Sequence, residues 1–153
     1  MDGERSTEVV IRAAVEADLP RIEQLLATGK LLSAGNIADA EGSFVAQVGA
    51  ELGGVSGLKM FGGDGLLRAT SVGVEGRGRD VGRLLVEAVL TEGALQAADA
   101  IFLFTDGSDR FFARFGFVVL SRDEVPSSIR QWAETNGGVS ASAMPMRLTL
   151  MEG

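Results

Sequence analysis

The stretch SVGVEGRGRDVGRLLVEAVL, residues 71–90, decides the fold because it joins a buried strand to an amphipathic helix through a short turn. The apolar run 66–74 is typical of a buried strand. Apolar side chains then recur at helical spacing over residues 81–89, with polar side chains opposite them. A glycine-rich turn at 76–82 leaves backbone N–H groups unpaired at the start of the helix. With the helix dipole and three nearby arginines, these groups predict a phosphate-binding site.

Two familiar phosphate-binding patterns do not describe this turn. A dinucleotide fingerprint needs G-x-G-x-x-G directly after the first strand, whereas this turn lies in the middle of the chain with a different glycine spacing. The pattern of a nucleoside triphosphate loop needs Gly-Lys-Ser/Thr, which the turn lacks. An ordinary surface connection between strand and helix is the alternative interpretation.

Composition limits the classes of function. The 153 residues predict one domain, 1–153, with a core at about 8–150. The chain has no cysteine and no histidine, so we predict neither disulfides nor a metal site. The net charge of −7 argues against nucleic acid as a partner. No apolar run is long enough to span a bilayer, and the charged start MDGERSTE predicts a cytoplasmic protein rather than an exported one.

Short strands and helices follow one another along the whole chain. We predict strands at 8–13, 43–49, 52–61, 66–74, 100–105, 117–120 and 143–150. Besides the helix after the turn, we predict helices at 17–27, 109–114 and 123–134. Residues 31–41 are predicted to form a loop or a broken helix. The glycines at 53, 54 and 57 indicate a bulged strand or one that another segment approaches closely.

The turn resembles the coenzyme A turn of the GNAT acetyltransferase superfamily, where Arg/Gln-x-x-Gly-x-Gly/Ala follows a strand ending in a Val-x-Pro-like segment. The matching positions are Arg77, Asp80 and Gly82, preceded by Val72 and Val74. Asp80 departs from the family's glycine and would add a carboxylate near a pyrophosphate. The order of elements resembles the family over nearly the whole chain. The resemblance implies an α/β (α+β) fold in a single domain, with a mixed, mostly antiparallel sheet flanked by helices.

The same resemblance implies acetyl-CoA as the co-substrate, without a metal. The pantetheine arm would lie along the central strand and bind its main chain, and the pyrophosphate would bind the amides of the turn. Phe112 holds the place of a family tyrosine near the thioester sulfur. The residues assigned to the cofactor are Ser71, Val72, Val74, Arg77, Gly78, Arg79, Asp80, Val81, Gly82, Arg83 and Phe112.

Acetyl transfer requires a donor for the developing oxyanion and a route for the proton of the amine. The backbone N–H of Val72 is our choice for the oxyanion. The segment 110–117 resembles the family's Phe-Tyr-x-x-x-Gly-Phe, but the chain has no tyrosine, which excludes a tyrosine acid. A base would be a carboxylate acting through water, with Glu41 and Asp106 as candidates. An amine that arrives partly deprotonated needs no base.

Segments 67–68, 105–106, 123–130 and 140–148 resemble a narrower branch, the arsenic-resistance N-acetyltransferases, which includes arsinothricin- and phosphinothricin-type enzymes. This resemblance implies a small amine acceptor that carries an extra oxyanion. Arg68 lies among apolar residues, so we assign it to the anionic group of the acceptor. A salt bridge to a chain carboxylate is the alternative. Thr105 and Ser108 are candidates for hydroxyl contacts with the acceptor. Without cysteine, thiolates cannot hold trivalent arsenic.

Two classes of function therefore stay open. The first is an N-acetyltransferase for a small-molecule amine, either an arsenical or phosphinothricin-type compound or another metabolite. The second is a non-catalytic domain that binds acyl-CoA, which the departure at Asp80 and the missing tyrosine favour. The expected partner is a small molecule, and we consider a homodimer among the possible assemblies.

Overall fold

The structure, a computed structural model, describes residues 8–151. Residues 1–7 and 152–153 of the predicted domain, including most of the charged start, lie outside this range. The strands are β1 (Val9–Ala13), β2 (Lys30–Ser33), β3 (Ser43–Val48), β4 (Glu51–Phe61), β5 (Asp64–Leu67), β6 (Thr70–Val72), β7 (Ala100–Thr105), β8 (Val118–Val119) and β9 (Met144–Thr149). The α-helices are α1 (Leu19–Thr28), α2 (Val81–Leu95), α3 (Asp109–Ala113) and α4 (Ser127–Thr135).

The strands form one mixed sheet. Its main path runs β1-β3-β4-β5-β7-β9-β8, and β6 pairs with β4 on one edge and β2 on the other. The pair β5–β7 is parallel, and the other pairs are antiparallel. The predicted fold class, a mostly antiparallel sheet flanked by helices, is confirmed. Among residues 8–151, no helix combines the length and apolarity needed to cross a bilayer.

The core lies on both faces of the sheet. Every residue of β7 is buried, as the unbroken apolar run AIFLFT predicts. Alternate side chains serve opposite faces: Ile101 belongs to the cluster that contains Val89 of α2, while Phe102 belongs to the cluster that contains Ile129 of α4. A further cluster covers β4 with α1. Helix α2 therefore lies on one face, with α1 and α4 on the other.

Two predicted segments differ from the structure. The expected strand 66–74 is interrupted at residues 68–69, where β5 ends and β6 begins. β5 pairs with β7, whereas β6 pairs with β2, which forms from residues expected to be loop or broken helix. A four-residue strand is too short to show an alternating hydrophobic pattern. Its strand conformation therefore depends on its pairing partner rather than on its own sequence pattern.

The other predicted elements are present with shifted ends. Pro20 lies in the first turn of α1, which a 3₁₀ turn at Glu16–Asp18 precedes. Another 3₁₀ turn, Arg122–Glu124, replaces the start of the last predicted helix, because α4 begins after Pro126. The predicted strand 117–120 shortens to β8.

The glycines of β4 are positions of close approach, as predicted. A Cβ at Gly76 of the turn would overlap the carbonyl oxygen of Gly53, so the two backbones touch. A Cβ at Gly54 would lie 2.7 Å from Val81 Cγ1 and 2.9 Å from Leu85 Cδ1, so α2 packs directly onto the strand. These contacts place the start of α2 against the middle of the sheet.

Candidate active site

A cavity of about 800 Å³ opens at the start of α2. The turn before α2 forms its base, α3 forms one wall, and β2 with the end of β6 forms another. The lining residues are Lys30, Leu32, Val72, Gly76, Arg77, Gly78, Asp80, Val81, Gly82, Arg83, Glu87, Phe111, Arg114 and Phe115. The structure thus brings the predicted turn residues together around one concave surface.

Several amides of the turn and of the start of α2 are without a hydrogen-bond acceptor among residues 8–151. The N–H groups of Arg77 and Arg79 are used within the turn, where they donate to Val74 O (3.2 Å) and Gly76 O (3.3 Å). The first helical hydrogen bond of α2 is donated by Leu84 N–H to Asp80 O (3.0 Å). Between these bonds, five N–H groups form no hydrogen bond with any residue in the range 8–151: those of Gly78, Asp80, Val81, Gly82 and Arg83. Such a row of donors at a helix start suits an anion.

The side chains of the cavity add positive charge to these amides. Four basic residues, Lys30, Arg77, Arg83 and Arg114, line it, against two acidic ones. This local excess contrasts with the net charge of −7 of the whole chain. Arg83 is already engaged on the surface: its Nη1 donates to Glu87 Oε2 (2.9 Å) and its Nη2 to Asp80 Oδ2 (3.4 Å). The hydrogen bond to Glu87 is the main cause that raises the pKa of Arg83.

Glycine and Asp80 set the shape of the turn. Asp80 has a left-handed backbone (φ 59°, ψ 24°), a conformation that glycine adopts at lower cost. Its carboxylate does not cap α2 and instead accepts the hydrogen bond from Arg83. A Cβ at Gly82 would lie 3.0 Å from Leu32 Cδ1 and 3.4 Å from Phe111 Cζ. Glycine at position 82 therefore keeps the cavity open.

Strand β2 fills the gap where β6 separates from β7. On one side it pairs with β6, with Lys30 opposite Val72 and Ser33 opposite Thr70. On the other side, Thr105 Oγ1 at the end of β7 donates to the main-chain oxygen of Leu32 (2.6 Å). The next residue after β2, Ala34, donates its N–H to Phe104 O (2.8 Å).

This arrangement bears on the expected use of the main chain of Ser71 and Val72. Gly73 N–H donates to Gly53 O (2.9 Å), which turns the backbone groups of residues 71 and 73 toward β4. Those of Val72 then face β2, where Lys30 is its partner. The Ser71 side chain is also used, since its Oγ donates to Leu25 O (2.7 Å). An added pantetheine strand would find this edge of β6 already paired.

Three more residues predicted to bind the cofactor lie outside the lining of the cavity. Val74 is exposed, begins the 3₁₀ turn Val74–Gly76 and does not line the cavity. Phe112 is fully buried and packs edge-on against Phe111 and Phe117, with centroid distances of 5.0 and 5.9 Å. It is a core residue because its side of α3 faces the sheet. Arg79 also lies outside the lining and donates from Nε to Glu75 O (3.0 Å).

Several lining residues were not predicted. Phe111 belongs to α3, and Arg114 and Phe115 directly follow that helix; their i, i+3, i+4 spacing is the signal that could have identified them. Lys30 and Leu32 come from β2, whose position depends on long-range pairing and is not readable from the local pattern.

The predicted catalytic carboxylates lie apart from this cavity and from each other. Glu41 lines a second cavity, described below. Asp106 follows β7, where the hydroxyls of Ser140 and Ser142 each lie 3.4 Å from its carboxylate. Thr105 is buried, and its Oγ1 bonds Leu32 O and accepts from Ser108 N–H (3.2 Å). The structure thus gives Thr105 a role in holding β2.

Arg68 belongs to the second cavity, of about 410 Å³, which shares no lining residue with the first. Its side chain is 4% exposed. Its Nη2 donates to Glu41 O (3.0 Å) and Ser43 Oγ (3.1 Å), so the side chain crosses β4 toward β3 and away from β7. Within residues 8–151, Arg68 forms no ion pair and its buried Nε has no hydrogen-bond partner. The alternative of a salt bridge within the described chain is therefore not observed.

The fold is that of the GNAT acetyltransferases. Solved structures with this fold include N-acetylglutamate synthase from Neisseria gonorrhoeae complexed with coenzyme A and N-acetyl-glutamate (TM-score 0.77, 18% identity, 95% of this chain). Another is Rv2747 from Mycobacterium tuberculosis in complex with CoA and NLQ (TM-score 0.73, 22% identity, 93% of this chain). A third is the ribosomal-protein-S18-alanine N-acetyltransferase from Escherichia coli (TM-score 0.67, 18% identity, 95% of this chain).

The lengths of these proteins differ. The present chain spans 36% of the Neisseria synthase, 99% of Rv2747 and 97% of the Escherichia coli enzyme. No protein-family model matches the sequence, and no curated protein matches it. At these identities the structural similarity establishes the fold, and the arsenic-resistance branch rests on the sequence segments alone.

Proposed function

We propose that the protein is an N-acetyltransferase that moves the acetyl group of acetyl-CoA to the amino group of a small molecule. The observation that carries this proposal is the cavity at the start of α2, with its excess of basic side chains and five amides that form no hydrogen bond within residues 8–151. Coenzyme A carries a diphosphate and a further phosphate, so it needs such an anion site. The fold shared with structures that contain coenzyme A supports the same assignment.

The residues of the cavity would divide the binding of the coenzyme between them. The amides of Gly78 and of residues 80–83 would hold the diphosphate, because these donors form no hydrogen bond within residues 8–151. Arg77, Arg114 and Lys30 would add charge for the phosphates. Phe111 and Phe115 would cover apolar parts of the coenzyme. Of the predicted cofactor residues, we retain those that line the cavity: Val72, Arg77, Gly78, Asp80, Val81, Gly82 and Arg83.

In the transfer itself, the amine nitrogen attacks the thioester carbonyl, a C–N bond forms, the C–S bond breaks and coenzyme A leaves as the thiolate. The main contribution of the protein would be to position the two reactants. The N–H of Val72 would stabilise the oxyanion once β2 releases it. With no histidine or tyrosine in the chain, the amine proton would pass through water to Asp106, at the end of β7. Glu41 is less suited because it lines the other cavity.

For the acceptor we propose an amino-acid-like amine, with arsinothricin- or phosphinothricin-type compounds as the specific candidates. The support is the resemblance of segments 123–130 and 140–148 to that branch. Another small metabolite amine is the alternative. The side chain of Arg68 lies across β4 from the gap between β6 and β7, so we do not assign it to the acceptor. Thr105 and Ser108 are the polar candidates nearer to that gap.

A non-catalytic acyl-CoA-binding domain is the second candidate function. It is favoured by the pairing of β2 with β6, which occupies the edge where a thioester would be aligned. Asp80, which departs from glycine in the turn, also favours it.

Two measurements on the full chain separate these functions. Calorimetric titration with coenzyme A tests the cavity, and thiol release from acetyl-CoA with a panel of amines, including phosphinothricin, tests the transfer. We expect binding together with amine-dependent thiol release. Binding without release by any amine would favour the second function. Absence of binding would contradict both.

A further inference from the structure

The second cavity contains a buried cation that has no anionic partner among residues 8–151. Arg68 lies at its base and is almost completely buried, yet within this range it donates only to a main-chain oxygen and a hydroxyl. Burial lowers the pKa of the Arg68 guanidinium, and the carboxylates of Asp39 and Glu41 oppose this without cancelling it. A buried charge that the chain leaves unpaired is costly, and an external anion would compensate it.

The surrounding chain makes room for this guanidinium. A Cβ at Gly57 would lie 3.0 Å from Arg68 Nη2 and 3.2 Å from its Nε, so the guanidinium occupies the space that a side chain at position 57 would need. Lys59, the other cation of the cavity, is engaged elsewhere: its Nζ lies 5.5 Å from the ring of Phe61 and 5.9 Å from that of Trp132. Arg68 is therefore the group in this cavity suited to bind an anion.

The mouth of the cavity has the opposite charge. Asp39 and Glu41 are exposed carboxylates on the loop before β3, and Glu92 is a half-buried one on α2. Gln96 donates to Glu92 (2.8 Å) and completes this side. The cavity thus combines a cationic base with an acidic rim, and its volume of about 410 Å³ suits a small molecule.

We propose that this second cavity binds a small zwitterion of the α-amino acid type, with its carboxylate on Arg68 and its ammonium group at the rim. The rim carboxylates would repel a ligand that carries only negative charge, and Arg68 would repel one that carries only positive charge. A ligand with both charges therefore fits best. The proposal does not depend on acetyl transfer, because the two cavities share no residue.

The test is calorimetric titration of the full chain with the common L-amino acids, followed by two derivatives of the best ligand. The amino acid amide removes the carboxylate, and the N-acetyl derivative removes the ammonium group. We expect at least one amino acid to bind and each derivative to bind at least about tenfold more weakly. Failure of every amino acid to bind, or equal binding of the amide, would overturn the proposal.

Variants locate the bound ligand. Arg68→Gln should weaken binding at least about tenfold, whereas Arg21→Gln, which removes an exposed arginine elsewhere, should leave it unchanged. Glu92→Gln, on the surface of α2, should weaken the binding of the amino acid but not the binding of its N-acetyl derivative. This second variant tests the site even if Arg68→Gln does not fold. Equal effects of Arg68→Gln and Arg21→Gln in folded protein, or displacement of the amino acid by coenzyme A, would contradict the site.

Mass spectrometry after incubation with acetyl-CoA shows whether the bound amino acid becomes acetylated. Recovery of the unchanged ligand would support a site separate from the transfer reaction. Acetylation of the ligand that is equally efficient in folded Arg68→Gln would place the amino acid in the first cavity and would contradict the proposal. A loss of coenzyme A binding would affect the proposed function alone, so the two proposals fail separately.

Discussion

The main chain of Lys30 is paired with that of Val72, on the edge of β6 that faces the gap toward β7. The strand that carries Lys30 also bonds to the end of β7 through Leu32 and Thr105. In the structure β2 therefore closes the sheet at the place where the proposed reaction needs a free edge. This relationship leads to the first prediction.

We expect coenzyme A to release β2 from β6. In hydrogen exchange, the amides of residues 30–33 should lose protection when saturating coenzyme A is added, because the pantetheine arm competes for the same edge. Amides in the pair between β1 and β3, such as Ile11, serve as the control and should not change. Unchanged protection of residues 30–33 in the saturated protein would show that β2 stays paired and would favour the non-catalytic function.

Asp80→Gly should both stabilise the protein and tighten coenzyme A binding. Glycine relieves the left-handed backbone, which is worth about 1 kcal/mol of unfolding free energy. It also removes an exposed anion from the cavity, for which we expect about threefold higher affinity. Urea unfolding and calorimetry measure the two effects.

Asp80→Asn is the matched control, because asparagine removes the charge and keeps a side chain at position 80. It should reproduce the gain in affinity with little of the gain in stability. Weaker coenzyme A binding in both variants would mean that the carboxylate helps to form the site.

Gly82→Val should block the cavity. Its side chain would enter the space beside Leu32 and Phe111, so we expect coenzyme A affinity to fall by at least about tenfold. Calorimetry measures the affinity, and thermal unfolding confirms that the variant is folded. Thr91→Val, on an exposed position of the same helix, is the control and should bind normally. Normal binding by folded Gly82→Val would place the coenzyme elsewhere.

Asp18→Asn should remove a pH-dependent contribution to stability. Arg12 donates two hydrogen bonds to this buried carboxylate (2.8 and 3.0 Å), and Val15 N–H donates a third (2.8 Å). These bonds, first of all those from Arg12, lower the pKa of Asp18. A lowered folded pKa contributes stability above the unfolded value of about 3.9, and this contribution is lost as the pH falls through the folded value.

We therefore expect Asp18→Asn to lower the unfolding free energy by about 2 kcal/mol at pH 7 and by less at pH 3. Urea unfolding at the two pH values measures the difference, with Glu23→Gln on the exposed side of α1 as the control. An equal loss at both pH values would mean that the ionised carboxylate is not the stabilising form.

The parts of the fold that the sequence predicted are those with a local signal. The buried run of β7, the apolar face of α2 and the turn between 76 and 82 all depend on neighbouring residues, and the structure contains each of them. The position of β2 could not be predicted, because it depends on the backbone edges that β6 and β7 leave open. The interruption of the predicted strand at Arg68 has the same cause, because β5 pairs with β7 whereas β6 pairs with β2.

For the site, the sequence motif identified the turn residues that line the cavity but not the residues around them. Gly78, Gly82 and Arg83 are where the motif placed them, because motif and turn are contiguous. Arg114 comes from another element, and its approach to the turn is a tertiary contact. Arg68 was singled out correctly as a buried arginine, but the direction of its side chain depends on the space above Gly57, which no local pattern encodes.

The contact between Gly53 and Gly76 has one more consequence. Because the two backbones are in contact there without side chains, main-chain atoms fix the distance between the turn and β4. Gly73 N–H adds a hydrogen bond to Gly53 O. The donors above this seat are thus preorganised before any ligand arrives, and little conformational entropy is lost on binding at this point. A larger residue at Gly53 or Gly76 would displace all the N–H donors of the turn together.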